Sequence, residues 1–303
     1  GKDLIVAMSI PAVNGTATQR LNMAEMTNRG IELELGTSMK LKDNDIVWAG
    51  NLNVSYNKNT IDNLFKATYS AYELYAGGTS AYVQGYDANT QWSFKYAGVV
   101  DKGVAGSPNW QPVVQGKGED LYDFTGWTPG DGRDYMLNMG TKVAPFAMGF
   151  SSSFKIYDFD ISFIVTGKFG HVFKGFTFNY PSMASGNALP NKLYSEILNS
   201  DPMERVPIPF GKAEPRYYFW DRFYPELDYR VQNANHIRVQ ELNITYNMPK
   251  SLATKLGIGS AKFYAQANNL GTLSNNKYNE DPEFPLGSLR PQASFTFGLN
   301  LGF

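Results

Sequence analysis

The chain ends in a stretch where large apolar and small polar residues alternate without a break. Phe295, Phe297, Leu299, Leu301 and Phe303 fall on one side, and Ser294, Thr296, Gly298, Asn300 and Gly302 on the other. A period of two predicts a strand and excludes a helix. The pattern recurs upstream. In Gly30 to Lys42, Ile31, Leu33, Leu35, Met39 and Leu41 oppose Glu32, Glu34, Gly36, Ser38 and Lys40, with Thr37 the one polar residue on the apolar side. Asp43-Asn44-Asp45 reads as a tight turn. Ile46, Trp48, Leu52, Val54 and Tyr56 then oppose Ala49, Asn51, Asn53, Ser55 and Asn57, completing a hairpin. A second hairpin runs from Phe146 to Phe169 about a turn at Tyr157-Asp158, with Phe150, Phe154, Ile161, Phe163 and Val165 on its apolar side. Ile237 and Val239 continue into Leu242, Ile244, Tyr246 and Met248, but the parity jumps at Gln240-Glu241. That jump predicts a β-bulge, or a strand that starts only after it. Pro249 ends this strand, Ser251 to Leu256 reads as one helical turn, and Ala261 to Leu270 alternates weakly. Leu4, Val6, Met8 and Ile10 supply a first strand.

These strands exceed the roughly 5–6 residues usual in globular sheets and are long enough to cross a bilayer at a tilt. Each presents one face to an apolar medium and one to a polar medium. The connections alternate short and long, the long ones being Asp62 to Lys142, Phe176 to Asn235 and Thr272 to Leu289. Gln91 to Tyr96 reads as a strand inside the first of them. The expected fold is all-β: a transmembrane antiparallel β-barrel, about eight strands of it present, with short periplasmic turns and long extracellular loops. The rivals are a self-contained barrel of the same strands, serving as an adhesin or anchor, and a secreted glycan-binding β-sandwich.

Composition narrows this further. No apolar run is long enough for a transmembrane helix, a test that a barrel escapes. The net charge of −1 argues against a nucleic-acid partner. Cysteine is absent, which removes disulfides and thiolate metal sites. Gly1-Lys2-Asp3 leads straight into the first strand without a signal peptide, so the chain reads as the C-terminal part of a longer protein, or as a processed or partial one.

Several stretches carry a resemblance. Thr296 to Phe303 is similar to the C-terminal β-signal read by the barrel assembly machinery, with Gly298, Leu301 and Phe303 at its defining positions. Asn28-Arg29-Gly30-Ile31-Glu32-Leu33, Asn53 to Asn59, His236 to Pro249, Ala267-Asn268-Asn269-Leu270 and Asp281-Pro282-Glu283 complete the set. Together and in this order they resemble the C-terminal barrel portion of SusC/RagA-like TonB-dependent transporters. The resemblance implies a barrel of about 22 strands in the outer membrane of a Gram-negative bacterium, set in outer-membrane lipid. It implies a plug and further strands outside this chain, contact with TonB through that N-terminal region, and a SusD-like surface lipoprotein as lid. The ligand would be an oligosaccharide or oligopeptide.

Catalysis finds little support. His171 and His236 lie on separate strands, and no HExxH, GxSxG or P-loop pattern appears, so neither an enzyme nor a cofactor is expected. Asp131-Gly132-Arg133-Asp134 lacks calcium-loop spacing and reads as a turn, not a metal site. Glu119, Asp120 and Asp123 read as solvated loop carboxylates. The binding candidates are the loop aromatics Trp92, Trp110, Trp127, Tyr217, Tyr218 and Trp220, with Arg216 beside them. Tyr, Trp and Arg concentrate where proteins bind partners, and flat rings suit sugars and peptides. The competing reading is that these rings pack against one another.

Overall fold

The computed structural model describes residues 4–9, 18–42, 45–101, 103–106, 110–123, 130–175, 223–277, 279–284 and 288–303. One eight-stranded sheet dominates it. Its strands are β1 (Leu4–Ser9), β2 (Thr18–Lys42), β3 (Ile46–Leu64), β9 (Phe146–Ile156), β10 (Phe159–Phe169), β13 (His236–Asn247), β14 (Ser260–Ser274) and β15 (Ser294–Gly302), hydrogen-bonded in that order. Between them the chain forms β4 (Thr90–Phe94), β5 (Tyr96–Asp101), β6 (Trp110–Gln115), β7 (Leu121–Asp123), β8 (Met136–Thr141), β11 (Val172–Lys174) and β12 (Val231–Asn233). The described residues also form two short α-helices, α1 (Ala71–Ala76) and α2 (Lys250–Lys255), α2 where the sequence predicts a helical turn. The described residues divide into two compact units. One draws on 59–142 and 172–232, the other on 29–58, 143–171 and 233–303.

In the second unit the ladders are antiparallel and the registers sort the residues by face. Trp48, Phe154, Ile161, Ile244, Ala265 and Phe297 form one paired row, and Leu52, Phe150, Val165 and Val239 another. The opposite face carries rows such as Ala49, Ser153, Ser162, Asn243, Gln266 and Thr296. Among the described residues no second sheet covers the apolar face: Phe297 is 78% exposed and Ile31 is 72% exposed. Such a surface in water would be an aggregation site, and a sandwich would have buried it. The face belongs against lipid, and the sheet is the wall of a transmembrane β-barrel.

Aromatic side chains mark both ends of the apolar face. Phe159 meets Tyr246 at 4.9 Å and Tyr246 meets Phe263 at 6.3 Å near the short turns, while Phe146 meets Phe169 at 5.9 Å near the long connections. Phe159 and Phe169 begin and end the same strand. At about 3.4 Å per residue and a usual tilt near 40°, that strand spans about 25 Å along the barrel axis, the height of an outer-membrane apolar band between its aromatic girdles.

Three local devices keep the faces sorted. The first is the bulge. Ile164 pairs with Glu241 and Val165 with Val239, leaving Gln240 outside the ladder, as the parity jump requires. On the other side Val239 pairs with Gly271 and Glu241 with Asn268, so β14 supplies extra residues too. Asn269 there takes a positive φ of 54°, which asparagine tolerates better than most residues. The second device hides the one polar side chain on this stretch of the lipid face. Ser152 is buried because the Trp48 ring folds across Gly50, and the indole Nε1 donates to Ser152 Oγ at 2.9 Å.

The third device is at Gly298. Tyr264 pairs with it across β14 and β15, and the tyrosine ring occupies the space where a Cβ would stand. A ring laid over a cross-strand glycine fills the gap and pins the register. Gly298→Val should displace the ring and cost about 1–3 kcal/mol, as overpacking does. Urea unfolding should show the loss, and Gly298→Val combined with Tyr264→Ala should cost less than the sum of the two single changes. Full additivity would mean the pair is not coupled.

The first long connection holds more structure than the one strand expected in it. β3 runs on to Leu64, and the following residues fold around their own core. Tyr69, Leu74, Phe94, Val113, Phe223, Tyr224 and Leu227 are almost fully buried there. Phe94 meets the Phe223 ring edge-on at 5.2 Å, and Tyr135 lies nearly parallel to Phe94 at 6.4 Å. Ser70 caps α1 through a reciprocal box with Glu73, and Glu73 also binds Lys66 at 2.9 Å.

Candidate functional site

The polar face of the wall is built from short hydroxyl and amide side chains in its middle: Asn51 beside Ser151, Ser153 beside Ser162, Asn243 beside Gln266. Glu34 reaches across to Asn51, which donates to it at 3.1 Å. Gly30 is required because β3 passes too close for a side chain: a Cβ there would lie 2.7 Å from the Tyr56 carbonyl oxygen.

Toward the long connections this face becomes ionic. Lys168 pairs across the ladder with His236, and Arg238 with Thr166 and Thr272. Two carboxylates arrive from the connection between β14 and β15. Arg238 donates through Nη2 to both oxygens of Asp281, at 2.8 and 2.9 Å, and through Nε to Glu283 at 3.0 Å. Lys168 Nζ donates to the other Glu283 oxygen at 2.5 Å, and Thr272 Oγ1 donates to Asp281 at 3.0 Å. The Arg238 guanidinium also lies over the Phe284 ring, 5.2 Å from its centre. Burial raises the Asp281 carboxyl, but the Arg238 and Thr272 hydrogen bonds outweigh it and hold the group below the usual range. Burial likewise opposes Glu283, and Lys168, then Arg238, bring it down. Residues 279–284 are thus clamped to the wall by a nearly buried, bidentate ion pair.

In the sequence, Asp281 and Glu283 stand in a run that carries only a resemblance, and nothing there joins them to Arg238 or Lys168. The available signal was two cations on the face of β10 and β13 that otherwise carries small polar residues. Their acidic partners stand 43 and 115 residues away in sequence, which no local pattern reveals.

The predicted binding residues distribute unevenly. Trp92 is placed in the core of the first unit, 3% exposed, against Tyr86 at 5.1 Å. Its ring therefore offers no free face. The backbone of Trp110 opens β6, while its side chain lies outside the described residues, as do Trp127, Arg216, Tyr217, Tyr218 and Trp220 entirely. Gly298 and Leu301 lie in β15, with Phe303 just beyond it and fully exposed. Asp131 is committed to Arg133, accepting from its backbone N at 3.0 Å and from Nη2 at 2.6 Å. Glu119 and Asp120 are exposed in the turn between β6 and β7.

No family model matches the chain. Two curated relatives from Formosa agariphila do. The chain is 22% identical to TonB-dependent receptor P3 across its whole length, and 24% identical to TonB-dependent receptor P26 over 88% of it. It spans only 31% and 27% of those two proteins. Among solved structures it matches the RagAB peptide transporter along its entire length, with a TM-score of 0.63 and 19% identity, covering 32% of that chain. The RagAB peptide importer in its open-open state gives a TM-score of 0.62 and 18% identity. The chain has the fold of these barrels and corresponds to just under a third of the RagAB chain.

Proposed function

We propose that this barrel wall belongs to an energised importer. In this reading the chain is the C-terminal portion of a SusC/RagA-like transporter barrel. An oligosaccharide or oligopeptide is captured outside the cell beneath a SusD-like surface lipoprotein, and TonB, acting through a plug outside this chain, drives its entry. The single observation that carries the reading is the two-faced open wall: an apolar face between aromatic ends, and a face of amides and hydroxyls that suits a wet lumen. The order of the strands speaks against a self-contained barrel serving as anchor. β1 and β15 stand at opposite ends of the described sheet, whereas eight strands closed on themselves would pair them. The chain contributes wall, connections and partner contacts, and no chemistry of its own.

The partner-facing residues in this reading are the cluster Arg216, Tyr217, Tyr218 and Trp220. Rings and guanidinium groups dominate the centres of protein interfaces. The variant Tyr218→Ala with Trp220→Ala should assemble normally but retain less lipoprotein on co-purification, or import its ligand more slowly. A double variant that keeps its partner and imports at the normal rate would remove the cluster from the interface.

A further inference from the structure

The turn between β13 and β14 is built around α2, and its conformation is locked. Gly257 takes a positive φ of 71°. Its N–H donates to the Thr254 carbonyl at 3.1 Å, and the Ile258 N–H donates to the Ala253 carbonyl at 3.1 Å. These two bonds form a Schellman cap, which a glycine in the left-handed region closes without strain. Thr254 Oγ1 also donates back to the Lys250 carbonyl at 2.9 Å. The side chains of α2 therefore point in fixed directions. Leu252 and Leu256, four residues apart, share one side of the helix and are 45% and 66% exposed. Lys250, Ser251 and Thr254 stand toward the opposite side, and Lys255 lies at the boundary.

Two alanines tell which side of the wall the helix occupies. Ala261 belongs to the apolar face, since it pairs with Leu301 in the same alternation that pairs Phe263 with Leu299. It is nevertheless 2% exposed, and Ala253 is fully buried. An alanine on an open face is buried only where something lies over it. The elements at hand are Met248, whose N–H donates to the Ala261 carbonyl at 2.9 Å, and α2, which packs against β14. The height is set by Tyr246, one residue before the end of β13, whose ring joins Phe159 and Phe263 in the aromatic end of the wall. α2 starts just beyond that row, where a bilayer passes from acyl chains to headgroups. Leu252 and Leu256 thus continue the lipid-facing surface. From Met248 to Ala261 the chain carries two lysines and no carboxylate, and neither lysine has an ion-pair partner among the described residues.

We propose that α2 is an interfacial anchor, with Leu252 and Leu256 in the acyl boundary of the phospholipid leaflet on the short-turn side and Lys250 and Lys255 on its anionic headgroups. Apolar residues on one side and lysines on the other are what an interfacial helix needs, and lysine stems reach outward to keep their charge in the headgroup layer. Six residues would not hold a membrane alone, but β13, β14 and the cap fix this helix at one height. This role follows from the lipid-facing wall and holds whatever the barrel imports.

Fluorescence quenching in nanodiscs of phosphatidylcholine and phosphatidylglycerol reads the depth of α2 in the purified full-length protein. The chain has no cysteine of its own, so Leu252→Cys, Leu256→Cys, Ser251→Cys and Thr254→Cys can each carry one fluorophore. All four side chains are exposed, and two positions of each kind preserve the comparison if one variant fails to assemble. Brominated acyl chains should quench the two leucine-site labels severalfold more than the other two, and aqueous iodide should reverse that order. Equal quenching at the four sites would overturn the proposal. So would leucine-site labels screened from bromine and iodide alike, as a covering protein segment would leave them. Removing phosphatidylglycerol should weaken bromine quenching at Leu256→Cys, and Lys250→Gln with Lys255→Gln should abolish that lipid dependence. Quenching indifferent to the anionic lipid would overturn the part assigned to the lysines.

Discussion

Arg238→Met should destabilise the protein by roughly 3–5 kcal/mol, the cost of leaving a buried carboxylate without its partner. Arg238 is 6% exposed and Asp281 7% exposed, so solvent offers the abandoned charge little relief. Among the described residues, Asp281 would keep only Thr272 Oγ1 and the Glu283 backbone N–H as donors. Glu283 would keep Lys168, which is half exposed and worth far less. The loss belongs to the orphaned charge more than to the pair itself. Removing both partners as Arg238→Met with Asp281→Leu should therefore recover most of it. Equilibrium unfolding in urea on the two single variants and the double gives the coupling directly. A double variant as unstable as the sum of the singles would show that each side chain acts independently of the other.

Phe150→Arg should cost about 2–4 kcal/mol, the penalty for a cation on the lipid face near the bilayer centre. Phe150 pairs with Leu52 and Val165, and Val165 lies well inside β10, between its two terminal phenylalanines. Ser151→Arg, one residue along and on the opposite face, should cost little, because that face is wet. Leu33→Arg should behave like Phe150→Arg, whereas Leu299→Arg should cost less, since Leu299 pairs with Phe263 in the aromatic end of the wall. Folding into phospholipid vesicles measures all four. Equal sensitivity at Phe150 and Ser151 would mean that both faces pack against protein.

The wall was legible because its signal is local. Alternation over Gly30 to Lys42 or Phe146 to Phe169 needs no knowledge of any other residue, and neither does the parity jump at Gln240. Ser152 was not legible in the same way. On the apolar face it looks like a defect until Trp48 is seen lying over Gly50 to meet it. The core within the first connection was hidden for a related reason. Its glycines and prolines read as loop, but its core is assembled from residues as far apart as Tyr69 and Leu227, with Phe94 bridging to Leu227. Trp92 shows the consequence for site prediction: of the two readings open to a tryptophan in a polar stretch, binding contact or self-packing, its burial against Tyr86 fits the second. The clamp at Arg238 combines both difficulties, since its cations lie in strands and its acids arrive from a distant connection.

The spacing of Phe159 and Phe169 also selects a membrane. A wall with an apolar height of about 25 Å is shorter than the roughly 30 Å hydrocarbon core of an average bilayer. In such a bilayer the lipid would have to thin around the barrel, at a cost of fractions of a kcal/mol for each ångström of mismatch, multiplied around the circumference. The bacterial outer membrane is thinner than average, so the wall meets its matching thickness there. Hydrophobic mismatch thus becomes an address written in strand length, and lengthening β9 and β10 by one residue pair on each side would redirect that preference toward thicker membranes.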